Sequence, residues 1–212
     1  LRNVAVVTNA EWADRLGIPQ SAAITCVKPS GTVSQLVDSA SGIHARHSPY
    51  YVRTVRGDNK DPLTTFMKDQ GIPSEPDVFK PDQTTVFSFP VKAPNKAVVT
   101  SDLSAVDQLK MWLMYQRHWS EHKPSVTINV KKDEWFEVGT FVYEHFDEMS
   151  GVSFLPYNEH TYQQAPYQEI DKEEYKNILV TMPKTIDWSR LSEYEKEDTT
   201  TSSQAMACTG DV

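Results

Sequence analysis

The sequence predicts an α/β fold. Segments with helical spacing of apolar residues alternate with short runs rich in β-branched and aromatic residues, the order expected of helices packed on sheets. The chain has 212 residues, enough to bury a core as one domain, or as one domain with an appendage. Only four or five runs read as strands, few for a self-contained barrel, so the chain reads as part of a larger architecture.

Val4 to Leu16 contains a short helix from about Asn9, closed by Gly17. Next comes the stretch around which the chain is organised. Ala22-Ala23-Ile24-Thr25-Cys26-Val27-Lys28 reads as a buried strand, Pro29-Ser30-Gly31-Thr32 as a tight loop, and Val33-Ser34-Gln35-Leu36 as the first turn of a helix. Ser39-Ala40-Ser41-Gly42 should end that helix. Ile43 to Pro49 is a loop carrying His44, Arg46 and His47. The histidine spacing would suit a metal, but no carboxylate or cysteine accompanies it. The preferred reading is a solvated loop, or one that helps neutralise phosphates.

Tyr50 to Arg56 alternates as a strand, with Arg53 and Arg56 on opposite faces. Asp61-Pro62 starts a helix through Gln70, stopped by Gly71. Pro73 to Asp82 reads as irregular, and Thr84 to Val91 as a β run in which Pro90 marks an edge, a bulge or the end. Ser101 to Ser104 opens the longest helix, to about Glu121, with Leu103, Val106, Leu109, Leu113 and Met114 on its apolar face. Pro124 to Val130 is a strand. Asp133 begins a helix through Met149 with Trp135, Val138, Val142, Phe146 and Met149 on one side, and Gly151 stops it. Val152 to Leu155 is strand-like, Tyr157 to Ile170 a loop or hairpin, and Asp171 to Met182 a charged helix. From Asp187 the chain turns polar.

The charge balance is acidic, 21 Lys and Arg against 29 Asp and Glu, which argues against a broad nucleic-acid or anionic-membrane surface. No apolar run reaches membrane-spanning length and no signal peptide is visible at Leu1. Two cysteines, Cys26 and Cys208, are too few for a secreted disulfide scaffold, so a reducing cytoplasm is expected. Cys26 reads as a buried small hydrophobe.

The loop after Lys28 carries the chemistry. A helix start leaves backbone N–H groups unpaired, and the macrodipole there favours negative charge. Gly31 permits close approach to the backbone, and Ser30, Thr32 and Ser34 add hydroxyl donors. A phosphate group is the natural ligand, although the spacing is not that of a Walker loop and a simple capped turn would use the same residues.

The run Lys28 to Leu36, followed by Ser41 to Arg56, resembles the catalytic subunit of ribonucleotide reductases, closest to the adenosylcobalamin-dependent (class II), monomeric ribonucleoside-triphosphate reductases. Pro124 to Val130, Val142 to Glu148, Gly151 to Pro156 and Tyr162 to Gln168 are similar too, so the likeness runs from about Val4 to Leu191. The resemblance implies the C-terminal part of a ten-stranded α/β barrel, incomplete in this chain. It places barrel over 1–170 with the phosphate loop at 29–34, a helical segment at 171–198 and a flexible tail at 199–212.

It also implies that Ser30, Gly31, Thr32, Val33 and Ser34 hold the phosphates of a ribonucleotide substrate, Val33 through its amide. The family's chemistry needs a radical cysteine in an Asn-x-Cys-x-Glu loop, a nearby reducing cysteine pair and adenosylcobalamin. The loop and the pair lie N-terminal to this region in the family and are absent here. The chain is therefore expected to be catalytically inactive without the missing N-terminal part, whether cut from a longer enzyme or naturally split. Cys208 is a candidate for the C-terminal redox shuttle that meets a thioredoxin-like reductant, against an incidental tail thiol. The alternative is a non-catalytic nucleotide- or phosphate-binding module.

Overall fold

The computed structural model describes residues 1–30, 33–157 and 163–196. In chain order the elements are α1 (Arg2–Leu16), α2 (Val33–Leu36), β1 (Tyr50–Asp58), α3 (Pro62–Asp69), β2 (Ser74–Pro76), β3 (Thr84–Lys92), α4 (Ala105–His118), β4 (Thr127–Val130), α5 (Trp135–Glu144), β5 (Ser153–Pro156), β6 (Tyr167–Glu169), α6 (Lys172–Thr181) and α7 (Leu191–Tyr194). They fall into two units, Leu1–Ser48 with Ala93–Glu159, and Pro49–Lys92 with His160–Val212.

The first unit is built on α4. Ser104 caps it: its Oγ accepts from the Asp107 amide while the Asp107 carboxylate accepts from the Ser104 amide. Ala105, Leu109, Trp112 and Leu113 then turn inward against Ile128 and Val130 of β4 and Val138 and Phe141 of α5. Ser101 to Leu103 lie outside this helix, Thr100–Asp102 forming a separate 3-10 turn. β4 and β5 pair in parallel, with Ile128 opposite Phe154.

Helix α5 stops at Glu144 instead of running to Met149, and Phe146–Glu148 is a 3-10 turn. Its buried seam is Val138 and Phe141; Phe146, expected on that seam, is exposed. The longest described helix is α1, at 15 residues against 14 for α4. It starts well before Asn9 and ends at Gly17, where a left-handed φ of 65° lets the cap amide reach the Ala13 and Asp14 carbonyls. Apolar residues circle this helix, so only Ala13 is buried and Val4, Val7, Trp12 and Leu16 stay exposed.

The second unit holds an antiparallel sheet in the order β2-β3-β1-β6. β1 pairs with β3 from Tyr50 opposite Lys92 to Asp58 opposite Thr84, and its other edge takes β6, with Arg53 opposite Tyr167. β2 is a short strand inside the stretch expected to be irregular; it pairs with β3 through three residues. Pro90 falls outside that pairing, on the part of β3 that needs only one neighbour. Helix α3 is capped by Asp61 with Pro62 in its first turn, and Gly71 follows with φ of 80°. Its Phe66 is fully buried against the rings of Trp188 and Tyr194.

One expected element is absent. Residues 22–28 carry strand-like side chains but join no sheet among the described residues. The Ile24 and Thr25 amides, which would alternate sides in a flat strand, both point at one oxygen of Glu121. With both amides taken up by that carboxylate, the segment presents no ladder of strand hydrogen bonds there.

Candidate functional site

Of the residues predicted to hold phosphate, Ser30, Val33 and Ser34 are described; Gly31, Thr32 and the proposed shuttle Cys208 lie outside the described residues. The Ser30 amide donates to Ser41 Oγ at 2.9 Å. Its own hydroxyl is buried and has no hydrogen-bond partner among the described residues. The Val33 amide donates to the Ser30 carbonyl at 3.1 Å, which closes the turn into α2, and the Val33 side chain is exposed. Ser34 is buried, and its carbonyl accepts from the Ser39 amide at 2.9 Å.

The segment after α2 braces this turn. The loop from Ile43 to Pro49 is not solvated as expected: Ile43, Arg46 and Ser48 are buried. The reason is the bonding of Arg46. Its guanidinium donates to the Ser39 carbonyl at 2.6 Å and to Asp38 Oδ1 at 3.1 Å, while its backbone bonds to Val98 and Thr100. A buried cation is retained because both terminal nitrogens of its guanidinium meet acceptors of the same local fold. Gly42, with φ of 58°, lies so close to residues 27 and 28 that a Cβ would come within 3.3 Å of the Lys28 carbonyl oxygen and of Val27 Cγ1.

His44 links the loop to β4. The Thr127 amide donates to its Nε2 at 3.1 Å, so the ring proton sits on Nδ1 and is donated to the Ser41 carbonyl at 2.7 Å. Both ring nitrogens are thereby engaged. No group of three or more His, Cys, Asp or Glu side chains among the described residues is placed to hold a metal. Cys26 is a half-buried free thiol.

The approach to the loop is stitched to the exit of α4. Glu121 Oε2 accepts from the Ile24 amide at 2.7 Å, the Thr25 amide at 3.0 Å and Thr25 Oγ1 at 3.3 Å. The Glu121 amide donates back to the Thr25 carbonyl, Trp119 Nε1 to the Cys26 carbonyl, and the Ser125 amide to the Val27 carbonyl. The two backbone amides, Thr25 first, hold the Glu121 carboxyl below its ordinary range. Sequence reading missed Glu121, Trp119 and Ser41 as neighbours of the loop. The first two lie more than 90 residues away in the chain, and no local spacing signals the pairing.

Two other carboxylates are held low by arginines. Asp77, itself buried, accepts from Arg56 Nε at 2.8 Å. Glu148 receives both Nε and Nη2 of Arg117, with His145 3.3 Å away, and is lowered to about 2.

No protein-family model matches the sequence. The chain is 34% identical over 172 residues to the adenosylcobalamin-dependent ribonucleoside-triphosphate reductase of Euglena gracilis, covering 80% of this chain and 23% of that protein. It is 32% identical over 181 residues to the enzyme of the same name from Lactobacillus leichmannii, covering 83% and 24%. A crystal structure of a B12-dependent (class II) ribonucleotide reductase superposes with a TM-score of 0.76 at 28% identity, over 93% of this chain and 28% of that one. The described elements therefore share the fold of part of that reductase, a mixed α/β arrangement consistent with part of an α/β barrel, and the chain spans about a quarter of the length of the curated relatives it matches. By sequence and by fold, this chain belongs with the adenosylcobalamin-dependent ribonucleotide reductases as the homologue of one quarter-length part of them.

Proposed function

We propose that this chain supplies the substrate-phosphate site of a ribonucleotide reductase and acts only together with the remainder of such an enzyme. The observation that carries the site is the hydroxyl of Ser30 at the turn into α2, buried and without a hydrogen-bond partner among the described residues. A buried hydroxyl left unpaired is costly, and a phosphate oxygen would complete it. Ser34 stands on the first turn of the same helix, and Gly31 and Thr32 are assigned to the site by the sequence pattern, whereas the Val33 amide, expected to meet the phosphate, is engaged by the Ser30 carbonyl. Their work is binding and orientation: a ribonucleotide held by its phosphates presents its ribose in one pose to groups supplied by the rest of the enzyme.

The relatives are named as adenosylcobalamin-dependent. That cofactor supplies an organic radical by homolysis of its cobalt–carbon bond. Among the described residues His44 has both ring nitrogens engaged by the protein and offers neither of them to that group. The reducing equivalents come from a thioredoxin-like protein through Cys208 acting with a second thiol, the two being oxidised to a disulfide as the active-site disulfide is reduced and then reduced in turn by that protein, in a reaction placed in the cytoplasm. No helix among the described residues is long and apolar enough to cross a membrane.

The test is titration of the chain with a ribonucleoside triphosphate and with inorganic tripolyphosphate, followed by phosphorus NMR. Both should bind, and Gly31→Val should weaken both by crowding the phosphate. Equal binding by that variant, or none by the parent chain, overturns the assignment. Nucleotide binding by a chain that stays monomeric and never assembles with a reductase N-terminal part would favour the non-catalytic module.

A further inference from the structure

We propose that Glu121 is a positioning residue for the phosphate loop, its carboxylate taking the place of the missing strand neighbour along residues 24–27. The inference rests on the phosphate-binding reading above. Two consecutive amides converging on one oxygen form a concave anion seat in the backbone, and here the anion is a side chain of the protein itself. The Glu121 amide returns a bond to the Thr25 carbonyl at 2.8 Å, so the contact is reciprocal and fixes both distance and direction.

The exit of α4 is itself rigid. Fully buried Trp112 donates from Nε1 to the Pro124 carbonyl at 2.9 Å, which ties residues 119–125 to the core. From Glu121, Trp119 and Ser125 the register passes to Thr25, Cys26 and Val27, and three residues later the Ser30 amide is caught by Ser41. Glu121 also borders an open cavity of about 800 Å³ shared with Arg2, Val6 and Val7 of α1 and with Arg117 and His118 of α4. The Thr25 and Ile24 amides favour its charged form most, and Arg2 adds a smaller attraction. Removing this side chain leaves two N–H groups without their acceptor and releases the segment that aims the loop, while an uncharged isostere keeps an acceptor but weakens both bonds.

Amide exchange in the whole 212-residue chain, measured residue by residue with NMR, tests this. In Glu121→Ala the Ile24 and Thr25 amides should exchange about tenfold faster or more, as loss of charge-assisted hydrogen bonds requires. The Ser30 and Ser34 resonances should move and tripolyphosphate affinity should fall, while Leu109, Trp112 and Ile128 keep their protection. Glu121→Gln, which keeps an acceptor oxygen and fills the same space, should recover part of the protection and serves where the alanine variant fails to fold.

Unchanged exchange at Ile24 and Thr25 overturns the proposal. So does a loss spread evenly into the α4 core, which would mark Glu121 as generally stabilising. If the parent chain binds no tripolyphosphate, the phosphate reading falls, and the exchange pattern still decides whether Glu121 holds the segment.

Discussion

Two extended segments of this chain satisfy their backbones in different ways. β1 is laddered to β3 along nine residues and to β6 along three, so its amides meet other strands and its side chains alternate between faces. Residues 22–28 have a similar apolar content, but they meet a carboxylate, an indole and loop carbonyls and amides contributed by residues 119–125. A ladder tolerates many sequences because the backbone does the pairing. The second arrangement depends on particular side chains, and it leads into the candidate phosphate loop. Its geometry is therefore set by few residues and is open to point mutation.

The largest effect that separates the two segments should come from truncating their apolar side chains. Tyr51 on β1 is 1% exposed and packs against Tyr167 across the ladder, at 5.8 Å between ring centres. Tyr51→Ala should cost about 3–5 kcal/mol, as for other large buried aromatics, read from the urea midpoint at unchanged slope. Ile24 is only half-buried, so Ile24→Ala should cost less, about 1–2 kcal/mol on the same scale. The reverse ranking would mean that residues 22–28 are anchored by apolar burial and not by polar stitching.

Next comes the close approach of the returning loop. Gly42 sits at φ of 58° with the Lys28 carbonyl within 3.3 Å of where a Cβ would stand. Gly42→Ala should cost about 1–2 kcal/mol from backbone strain, more if the neighbouring carbonyl cannot yield. The matching substitution at Gly17, also at positive φ but with open space around it, carries the strain alone and should cost less. Equal losses in thermal unfolding would remove the packing component at Gly42.

These contrasts explain what the sequence could disclose. The alternation in β1, the Asp61-Pro62 start of α3, the Ser104 box of α4 and the Gly17 stop of α1 are local signals, and each is answered by local geometry. The α/β class and the family likeness were legible for the same reason: they rest on runs of residues. The segment 22–28 was misread because a strand needs a partner as well as a pattern. The solvated reading of loop 43–49 failed because the burial of Arg46 depends on a carbonyl and a carboxylate brought back by the turn after α2. Of the candidate site, the phosphate loop was visible as a motif. Its braces were not, since Glu121 reaches Thr25 across 96 positions.

The smallest expected effect sharpens the comparison through pH and salt. Glu148 is lowered mainly by its paired hydrogen bonds with Arg117, to about 2 from an ordinary 4.5. A carboxyl lowered by folding stabilises the native state fully above its unfolded value. That contribution is lost as pH falls from about 4.5 toward 2. Both partners are nearly half exposed, so added salt should screen the pair and flatten its part of the curve. Glu121 is also lowered, but first by backbone amides, which carry no net charge for salt to screen, whereas the partner of Glu148 is a full cation. Acid unfolding of Glu148→Gln and Glu121→Gln at low and high salt should therefore differ. The Glu148 variant should match the parent chain at high salt, while the Glu121 variant should stay distinct from it at both. If the two variants share one salt dependence, the amide seat behaves as an ordinary surface charge pair, and the segment leading to the loop is held by something other than its hydrogen bonds to Glu121.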